Sequence, residues 1–181
     1  QKGRHKWIVS FDLNSLYPHL IMQYNISPET ILGTWQDEIG VEGLLKKEFD
    51  TSIWKEKDIT VTPNGSVYRK DKQGFLPKLM ESMYDDRVKY KKLMLEEQKK
   101  GRNADPNKLS QYYNYQQNLK IALNSAYGAL GNQWFRYYDE RNAEAVSVAG
   151  QLSVQWAENA VNNYLNTTLS TVNKDYIVAM D

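Results

Sequence analysis

The sequence predicts an α+β fold, in which an antiparallel sheet with packed helices carries an inserted antiparallel hairpin of two long helices. Two short apolar and β-branched runs, WIVSF at 7–11 and YIVAM at 176–180, are typical of strands. The stretch 59–70, ITVTPNGSVYRK, predicts a β-hairpin, because two alternating arms flank an Asn-Gly pair. Two long stretches without helix breakers, 78–100 and 107–128, predict the helical hairpin.

The ends of the two long helices are marked by residue types that favour helix termini. Pro77 suits a first helical turn, and the turn GRNADP separates the two helices. Asp105 is expected to cap the second helix, with Pro106 at its first position and its end near Gly128 or Gly131. Because the turn is so short, the helices must lie antiparallel.

The remaining elements form the domain into which the helical hairpin is inserted. The stretch PHLIMQYN predicts a short helix, and residues 133–145 predict a connection. Residues 145–167 are apolar at helical spacing, which predicts a buried helix. We therefore divide the chain into a base domain, residues 1–73 and 133–181, and an inserted hairpin, residues 74–132.

Composition narrows the function classes only slightly. The 181 residues include no cysteine, which excludes disulfides and thiolate metal sites. The formal net charge of +1 means that any nucleic-acid surface must be a local cluster of cations. No apolar run approaches the roughly 20 residues of a membrane span, so no membrane association is expected.

The first chemical pattern is a pair of aspartates, Asp12 and Asp181, each at the end of an expected strand. If the two strands are neighbours in a sheet, the carboxylates lie close enough to share metal ions. Carboxylates together with phosphate oxygens and water are the ligands that Mg²⁺ prefers. The alternative is two independent aspartates that only form turns.

The second pattern is cationic and lies on the helical hairpin. Arg87 and Lys91 are four residues apart on the first helix, and Lys120, Asn124 and Tyr127 share one face of the second. When the hairpin is folded about residue 103, the three cations face a common volume large enough for a triphosphate. The alternative is a solvated basic helix surface.

The third pattern is Tyr17, which follows Asp12 by five residues. The backbone N–H groups of the intervening turn can hold phosphate oxygens. A rigid ring at Tyr17 can lie under a sugar and exclude a 2′-hydroxyl. The alternative is an ordinary core tyrosine. Tyr127 has two interpretations as well, a packing residue or a platform for a base pair.

DLNSLYP and KIALNSAYG are similar to the first two polymerase motifs of family B DNA polymerases, and YIVAMD is similar to the start of the third motif. The resemblance to this family extends over essentially the whole chain. Three longer stretches resemble in particular the replicative polymerases of T-even-like tailed phages: NISPETILGTW, PNGSVYRKDKQGFLP and GALGNQWFRYYDERNA.

The resemblance assigns roles to individual residues. Asp12 and Asp181 correspond to metal-binding aspartates of the first and third motifs. Arg87, Lys91 and Lys120 correspond to residues that bind the triphosphate. Tyr17 corresponds to the tyrosine that excludes ribonucleotides. The turn residues that hold the triphosphate through their backbone are Leu13, Asn14, Ser15 and Leu16. Asn124 lines the nucleotide pocket, and Tyr127 lies at the nascent base pair.

The resemblance also implies the fold, the reaction and the partners. The base domain corresponds to a polymerase palm and the helical hairpin to the fingers. The implied reaction is template-directed transfer of a deoxynucleotide to a primer 3′-hydroxyl in DNA replication, with two Mg²⁺ ions. The implied partners are primer–template DNA, deoxynucleoside triphosphates and a sliding clamp. A viral enzyme of this kind acts in the cytoplasm of the infected bacterial host and is not secreted.

Several departures from the family pattern are visible. His19 stands where serine is usual, and Ala179 and Met180 stand where Tyr-Gly is common. The sequence stops at Asp181, before the second aspartate of the third motif, so residues 1–181 alone are expected to be inactive. Three alternatives stay open: an inactive relative that only binds primer–template DNA, a polymerase that uses ribonucleotides, and a purely structural helical hairpin.

Overall fold

A computed structural model describes residues 3–35 and 39–179 and has the expected α+β organisation. A short 3₁₀ turn, Gly101–Asn103, joins the two helices of the helical hairpin, each of 25 residues. The elements in chain order are α1 (Leu16–Tyr24), β1 (Ile31–Thr34), α2 (Gly40–Leu45), α3 (Ser52–Glu56), β2 (Ile59–Val61), β3 (Ser66–Arg69), α4 (Phe75–Lys99), α5 (Pro106–Leu130) and α6 (Glu140–Thr168).

The sheet has three antiparallel strands in the order β1-β3-β2, and the predicted β-hairpin forms β2 and β3. Its connection is a three-residue loop, Pro63-Asn64-Gly65, in which the Gly65 N–H donates to the Thr62 carbonyl at 2.8 Å. Only the glycine of the Asn-Gly pair takes a positive φ, 80°, as expected when a turn is followed by a left-handed residue. Strand β1, which pairs with β3, was not predicted.

The two strands that the sequence predicts near the ends of the chain are not formed by the described residues. Residues 7–11 have no regular structure, and Trp7 and Phe11 are 98% and 80% exposed. Residues 176–179 also lack strand structure, and the last predicted strand residue falls outside the described part of the chain. The physical reason is that a strand needs a hydrogen-bonded neighbour, and neither segment pairs with a strand among the described residues.

The helical hairpin is confirmed. Helix α4 begins at Phe75, slightly before the expected start, and α5 continues through Gly128 to Leu130. The Asp105 side chain accepts hydrogen bonds from the first turn of α5, so the predicted cap is present. The rings of Tyr90 and Tyr115 stack at 4.8 Å, which agrees with folding about residue 103 to within one position.

The N-terminal end of α4 is held by the turn that precedes β1. The Asn25 side chain accepts from the Gly74 N–H at 2.8 Å and donates to two carbonyls of the 69–72 loop. The Glu29 carboxylate accepts from Phe75 N–H and from the Ser27 hydroxyl. Partial burial alone raises the pKa of Glu29, but these hydrogen bonds outweigh it and hold the pKa below its ordinary value. The start of the helical hairpin is therefore fixed to the base domain.

The main core lies where α1, α4, α5 and α6 meet the sheet. Tyr68 of β3 is fully buried and donates to the Asn142 side chain of α6 at 2.8 Å. Burial raises the pKa of Tyr68 far above its ordinary value, so the hydroxyl stays protonated. The apolar side chains of this core are Ile21, Ile26, Leu76, Met80, Leu123, Leu130, Ala145 and Val146.

Helix α6 is longer and less buried than predicted. It begins at Glu140, within the expected connection, and all of its fully buried residues lie in its first half. The second half borders an open groove of about 950 Å³ shared with α1 and α3, and Trp156 is 65% exposed. The apolar spacing predicted burial here, but no residue in this half of the helix is fully buried.

A smaller apolar cluster joins the predicted β-hairpin to α2 and α3, which lie in a region where the sequence predicted no element. Ile39, Val61 and Val67 form its buried part, and Trp35 and Trp54 pack edge to face at 6.0 Å. In the described part of the chain, no helix combines the length and apolar character needed to cross a membrane.

Candidate active site

The turn before α1 is shaped by a residue in the left-handed conformation. Ser15 has φ 54° and ψ 47° at the position that caps α1. Its carbonyl contacts Nδ1 of His19 at 2.8 Å, and because a carbonyl only accepts, Nδ1 carries the proton. The His19 ring also packs edge to face on Tyr84 of α4 at 4.6 Å. The histidine that departs from the family pattern thus braces this turn against the helical hairpin.

Arg87 of α4 reaches the same turn. Its Nη1 donates to the Ser15 hydroxyl at 2.9 Å, although the two residues are 72 positions apart. Its Nε is buried and has no hydrogen-bond partner among the described residues. An unpaired buried donor costs about 1–3 kcal/mol, so this guanidinium is placed where an added acceptor would be favourable. Lys91, one turn nearer the tip, is exposed.

Tyr17 lies between the end of α5 and the middle of α6. Its ring centroid is 4.4 Å from that of Tyr127, with the planes tilted by 48°. A Cβ added to Gly150 would lie 3.1 Å from Cε1 of Tyr17, so only glycine fits there without displacement. The Tyr127 hydroxyl shares a 2.6 Å hydrogen bond with Ser147. Tyr17 is still 37% exposed, so its ring has both a packed side and a solvent side.

Lys120 and Asn124 lie on α5, on the helix face that also carries Tyr127. Both are exposed, and neither makes a hydrogen bond or ion pair with another described residue. Their polar groups are therefore free to bind a ligand. The structure brings together Ser15, Arg87, Tyr17 and Tyr127 through direct contacts, whereas Lys91, Lys120 and Asn124 share only their helices and faces with them.

The carboxylate part of the site is less complete. Asp12 is exposed and has no hydrogen-bond or ion-pair partner within residues 3–35 and 39–179. Asp181 lies outside the described residues. Over those same ranges, no group of three or more acidic or histidine side chains is arranged to hold a metal ion. The oxygen donors of a free carboxylate such as Asp12 fit Mg²⁺ chemically.

Sequence reasoning missed the residues that support the site rather than line it. Ser147 and Gly150 are three apart on α6, and with Ala143 they form a stripe of small residues at helical spacing. Ser147 and Gly150 lay within the predicted buried helix, whereas Ala143 was assigned to the connection before it. No local signal in the sequence announces the contact between Ser15 and Arg87, because it joins distant elements.

Fold and site together define a class of protein: an α+β base domain with a helical hairpin, in which Arg87 and Tyr84 of the hairpin contact the turn at the start of α1. The sequence profile described as DNA polymerase family B matches residues 1–179. This chain therefore belongs to DNA polymerase family B.

Individual relatives agree with this family membership. The chain is 33% identical to the DNA-directed DNA polymerase of Escherichia phage RB69 and 34% identical to that of Enterobacteria phage T4, over 99% and 97% of its length. It is also 33% identical to DNA polymerase 1 of Pyrococcus abyssi over 83% of its length. The chain spans 24% of the length of each phage polymerase.

Proposed function

We propose that this chain is the palm and fingers core of a DNA-directed DNA polymerase that transfers deoxynucleotides to a primer 3′-hydroxyl under the direction of a template. Residues 1–73 and 133–181 form the palm in this proposal, and residues 74–132 form the fingers. The names of the phage relatives support the activity, and their larger size supports a complete enzyme that is longer than these 181 residues.

The observation that carries the proposal is the meeting of Arg87 with Ser15 at 2.9 Å. It joins the proposed fingers helix to the turn that follows Asp12, which supports a phosphate site formed by this cation together with the backbone of that turn. Backbone N–H groups in such a turn and a planar guanidinium are both good phosphate ligands. A triphosphate bound there lies beside the carboxylate of Asp12.

The cations of the hairpin are proposed to bind the triphosphate. Arg87 offers its remaining N–H groups, including the unpaired Nε, while Lys91 and Lys120 act as point charges. Closing the hairpin over the nucleotide orients the α-phosphate for in-line attack and favours a correctly paired base. Leu13, Asn14, Ser15 and Leu16 supply the backbone, and Asn124 lines the pocket.

Tyr17 is proposed to exclude ribonucleotides. Tyr127 and Gly150 hold one side of its ring, and the exposed side is left to face a deoxyribose. A ring fixed in this way cannot retreat from a 2′-hydroxyl, so a ribonucleotide meets a steric barrier. Tyr127 would then lie at the nascent base pair, oriented by its hydrogen bond to Ser147.

Asp12 and Asp181 are proposed to hold two Mg²⁺ ions. Bound there, the ions would activate the primer hydroxyl and stabilise the pyrophosphate leaving group. We further propose primer–template DNA, deoxynucleoside triphosphates and a sliding clamp as partners of the complete protein. The proposed setting is DNA replication in the cytoplasm of an infected bacterium.

The decisive experiment is primer extension by the complete protein, with wild type compared with Lys120→Ala. The variant should raise the nucleotide KM about 10- to 100-fold, since a charged hydrogen bond contributes about 1.5–3 kcal/mol. Lys92→Ala is the matched control, because Lys92 is exposed on the opposite side of α4 from Arg87.

Unchanged steady-state and single-turnover rates for Lys120→Ala would remove the phosphate role of that residue. DNA binding that responds to neither Mg²⁺ nor nucleotide, without extension, would instead establish an inactive relative that only binds primer–template. Residues 1–181 alone should extend primers poorly or not at all, and robust extension by this piece would contradict our division of the enzyme.

A further inference from the structure

The start of α1 is held by a side chain of the helix itself. The His19 backbone N–H donates to the Ser15 carbonyl at 3.2 Å, and the Nδ1 N–H of the same histidine donates to that carbonyl at 2.8 Å. A carbonyl oxygen has two lone pairs, so both acceptor positions of this group are occupied by one residue. The side-chain hydrogen bond is the shorter of the two.

This carbonyl matters because Ser15 does not begin the helix in the usual way. Its φ of 54° and ψ of 47° lie in the left-handed region, which residues with a Cβ rarely occupy. A serine at this position normally caps the helix with its hydroxyl, but the Ser15 side chain makes no such hydrogen bond. The hydroxyl accepts from Nη1 of Arg87 instead. The carbonyl is therefore the group through which α1 restrains the backbone of Ser15.

The imidazole that holds the carbonyl is itself held by the helical hairpin. Its ring packs edge to face on Tyr84, with 4.6 Å between the ring centroids. Tyr84 lies three residues before Arg87 on α4, which is about one helical turn. His19 lies four residues after Ser15, which is also about one turn. The ring contact is thus one turn from the Arg87 hydrogen bond on both helices, and it fixes the plane of the imidazole.

We propose that His19 is a positioning residue for the nucleotide. Its Nδ1 N–H keeps Ser15 in the left-handed conformation and thereby keeps the shape of the turn at residues 13–16. The inference rests on the proposed function, in which this turn and Arg87 bind the triphosphate. It adds that nucleotide affinity depends on a side chain that does not itself bind the phosphates.

Three substitutions of His19 separate its donor from its ring. His19→Asn keeps an N–H donor at the same number of bonds from the backbone as Nδ1, but it lacks the ring. His19→Phe keeps a ring beside Tyr84 and has no donor, and His19→Ala removes both groups. Gln23→Ala is the matched control, because Gln23 is exposed on α1 one turn after His19.

The first measurement is equilibrium binding of the complementary deoxynucleotide to the complete protein. The primer–template carries a primer without a 3′-hydroxyl, so that no transfer follows binding. His19→Phe should weaken binding about three- to tenfold, the range for the loss of one hydrogen bond between neutral groups, and His19→Ala at least as much. His19→Asn should recover most of the affinity, and Gln23→Ala should bind as wild type does.

Steady-state extension with an ordinary primer gives a second test of the same role. The nucleotide KM should rise with the loss of affinity, while kcat stays within about twofold of wild type. A lowered melting temperature together with wild-type KM and affinity in His19→Phe would show that the histidine is structural only, which overturns the positioning role.

A third measurement tests the turn without any nucleotide. The backbone amide of residue 19 donates to the same carbonyl, so its hydrogen exchange reports on the start of α1. After correction for intrinsic rates, exchange should be about three- to tenfold faster in His19→Phe than in wild type and nearly normal in His19→Asn. Equal exchange in wild type and His19→Phe would mean that Nδ1 does not hold the turn.

The outcomes separate this inference from the proposed function. If wild type binds the deoxynucleotide and His19→Phe binds it equally well, the role of His19 is wrong and the proposed function stands. If His19→Phe binds normally and His19→Asn does not, the ring sets the affinity and the role of Nδ1 is wrong. A wild-type protein that binds no deoxynucleotide would contradict the proposed function and this inference with it. If His19→Phe does not fold, His19→Ala compared with His19→Asn tests the same donor.

Discussion

The two halves of the proposed active site differ in how the chain supports them. The residues assigned to the triphosphate and the sugar lie on or next to long helices and are braced by contacts such as Arg87 to Ser15 and Tyr17 to Tyr127. Of the two aspartates assigned to the metal, Asp12 lies in a segment without strand structure and is preceded by an exposed apolar run, and Asp181 lies outside the described residues. The nucleotide half is built from packing, whereas the carboxylate half depends on a sheet that residues 3–35 and 39–179 do not form.

This difference predicts that substitutions in one half will affect nucleotide binding, whereas substitutions in the other half will affect the chemical step. Changes in the nucleotide half should alter KM and substrate choice, because their neighbours are fixed. Changes in the carboxylate half should alter the rate of the chemical step with little effect on folding, since exposed side chains contribute little to stability.

The largest effect is expected for Asp12→Asn in the complete protein. Primer extension should fall by about a thousandfold or more, because metal-assisted catalysis contributes several kcal/mol to the barrier. The free energy of unfolding should stay within about 0.5 kcal/mol of wild type, as Asp12 is exposed. Asp86→Asn, at another exposed aspartate, is the control for rate and stability. If both variants extended primers at comparable rates, Asp12 would not be a metal ligand, and the two halves of the site would not differ as proposed.

The next effect separates two roles of Arg87. If the guanidinium binds phosphate, Arg87→Ala should raise the nucleotide KM about 10- to 100-fold, in line with a charged hydrogen bond of about 1.5–3 kcal/mol. Ser15→Ala should change KM much less, because the arginine stays and its Nη1 becomes free. Equal effects of the two substitutions in steady-state assays would show that Arg87 acts only by holding the turn.

A smaller effect is expected behind Tyr17. Gly150→Ala places a Cβ 3.1 Å from the ring, which also packs against Tyr127, so the ring must shift toward the proposed sugar position or the helix must move. The preference for deoxyribonucleotides over ribonucleotides should change about three- to tenfold, the scale of mild overpacking. Gly128→Ala is the matched control, because nothing lies within 4 Å of its added Cβ. An unaltered preference would mean that α6 does not position Tyr17.

The smallest effect concerns the tip of the helical hairpin. The Glu97 side chain is only 7% exposed, and its carboxylate accepts from the Asp105 N–H at 2.8 Å and from Lys100 at 2.7 Å. These interactions, the backbone hydrogen bond first, hold the pKa of Glu97 below its ordinary value of 4.5. The stabilisation is therefore complete above about pH 4.5 and is lost as the pH falls through the lowered pKa.

Exchange of the Asp105 amide, measured between pH 3 and pH 7, checks this. Wild type should lose protection in the acid range, and Glu97→Gln should lose most of that pH dependence. Glu96→Gln, at the exposed neighbouring glutamate, should behave as wild type. A wild-type acid profile in Glu97→Gln would assign the transition to another group.

Prediction from the sequence succeeded where the signal was local. The caps at Asp105, the loop at Gly65 and the long uninterrupted helices depend on neighbouring residues, so the helical hairpin and the β-hairpin were predicted correctly. The segment 7–11 has strand composition, yet whether it forms a strand depends on a partner elsewhere. Strand β1 has only four residues, one of them Gly33, which gave too weak a pattern.

The candidate site divides in the same way. Helical spacing alone placed Lys120, Asn124 and Tyr127 on one face, and folding about residue 103 predicted the pairing of the two helices. Nothing local indicated that Tyr17 packs on Gly150, or that His19 packs on Tyr84, because these contacts depend on tertiary structure.

The hydrogen bonds of Glu97 at the hairpin tip also suggest how proteins of this family can differ in length. The alignment with the RB69 protein extends over 225 positions, more than the 181 residues of this chain, so the relative has residues without a counterpart here. An insertion at Gly101–Asn103 would lie more than ten residues beyond Tyr84 and Arg87, which contact the base domain, and each added turn would lengthen the hairpin by about 5.4 Å. An insertion can therefore lengthen the tip without moving the proposed nucleotide pocket, provided that the new tip has a group that replaces the hydrogen bonds of the Glu97 carboxylate.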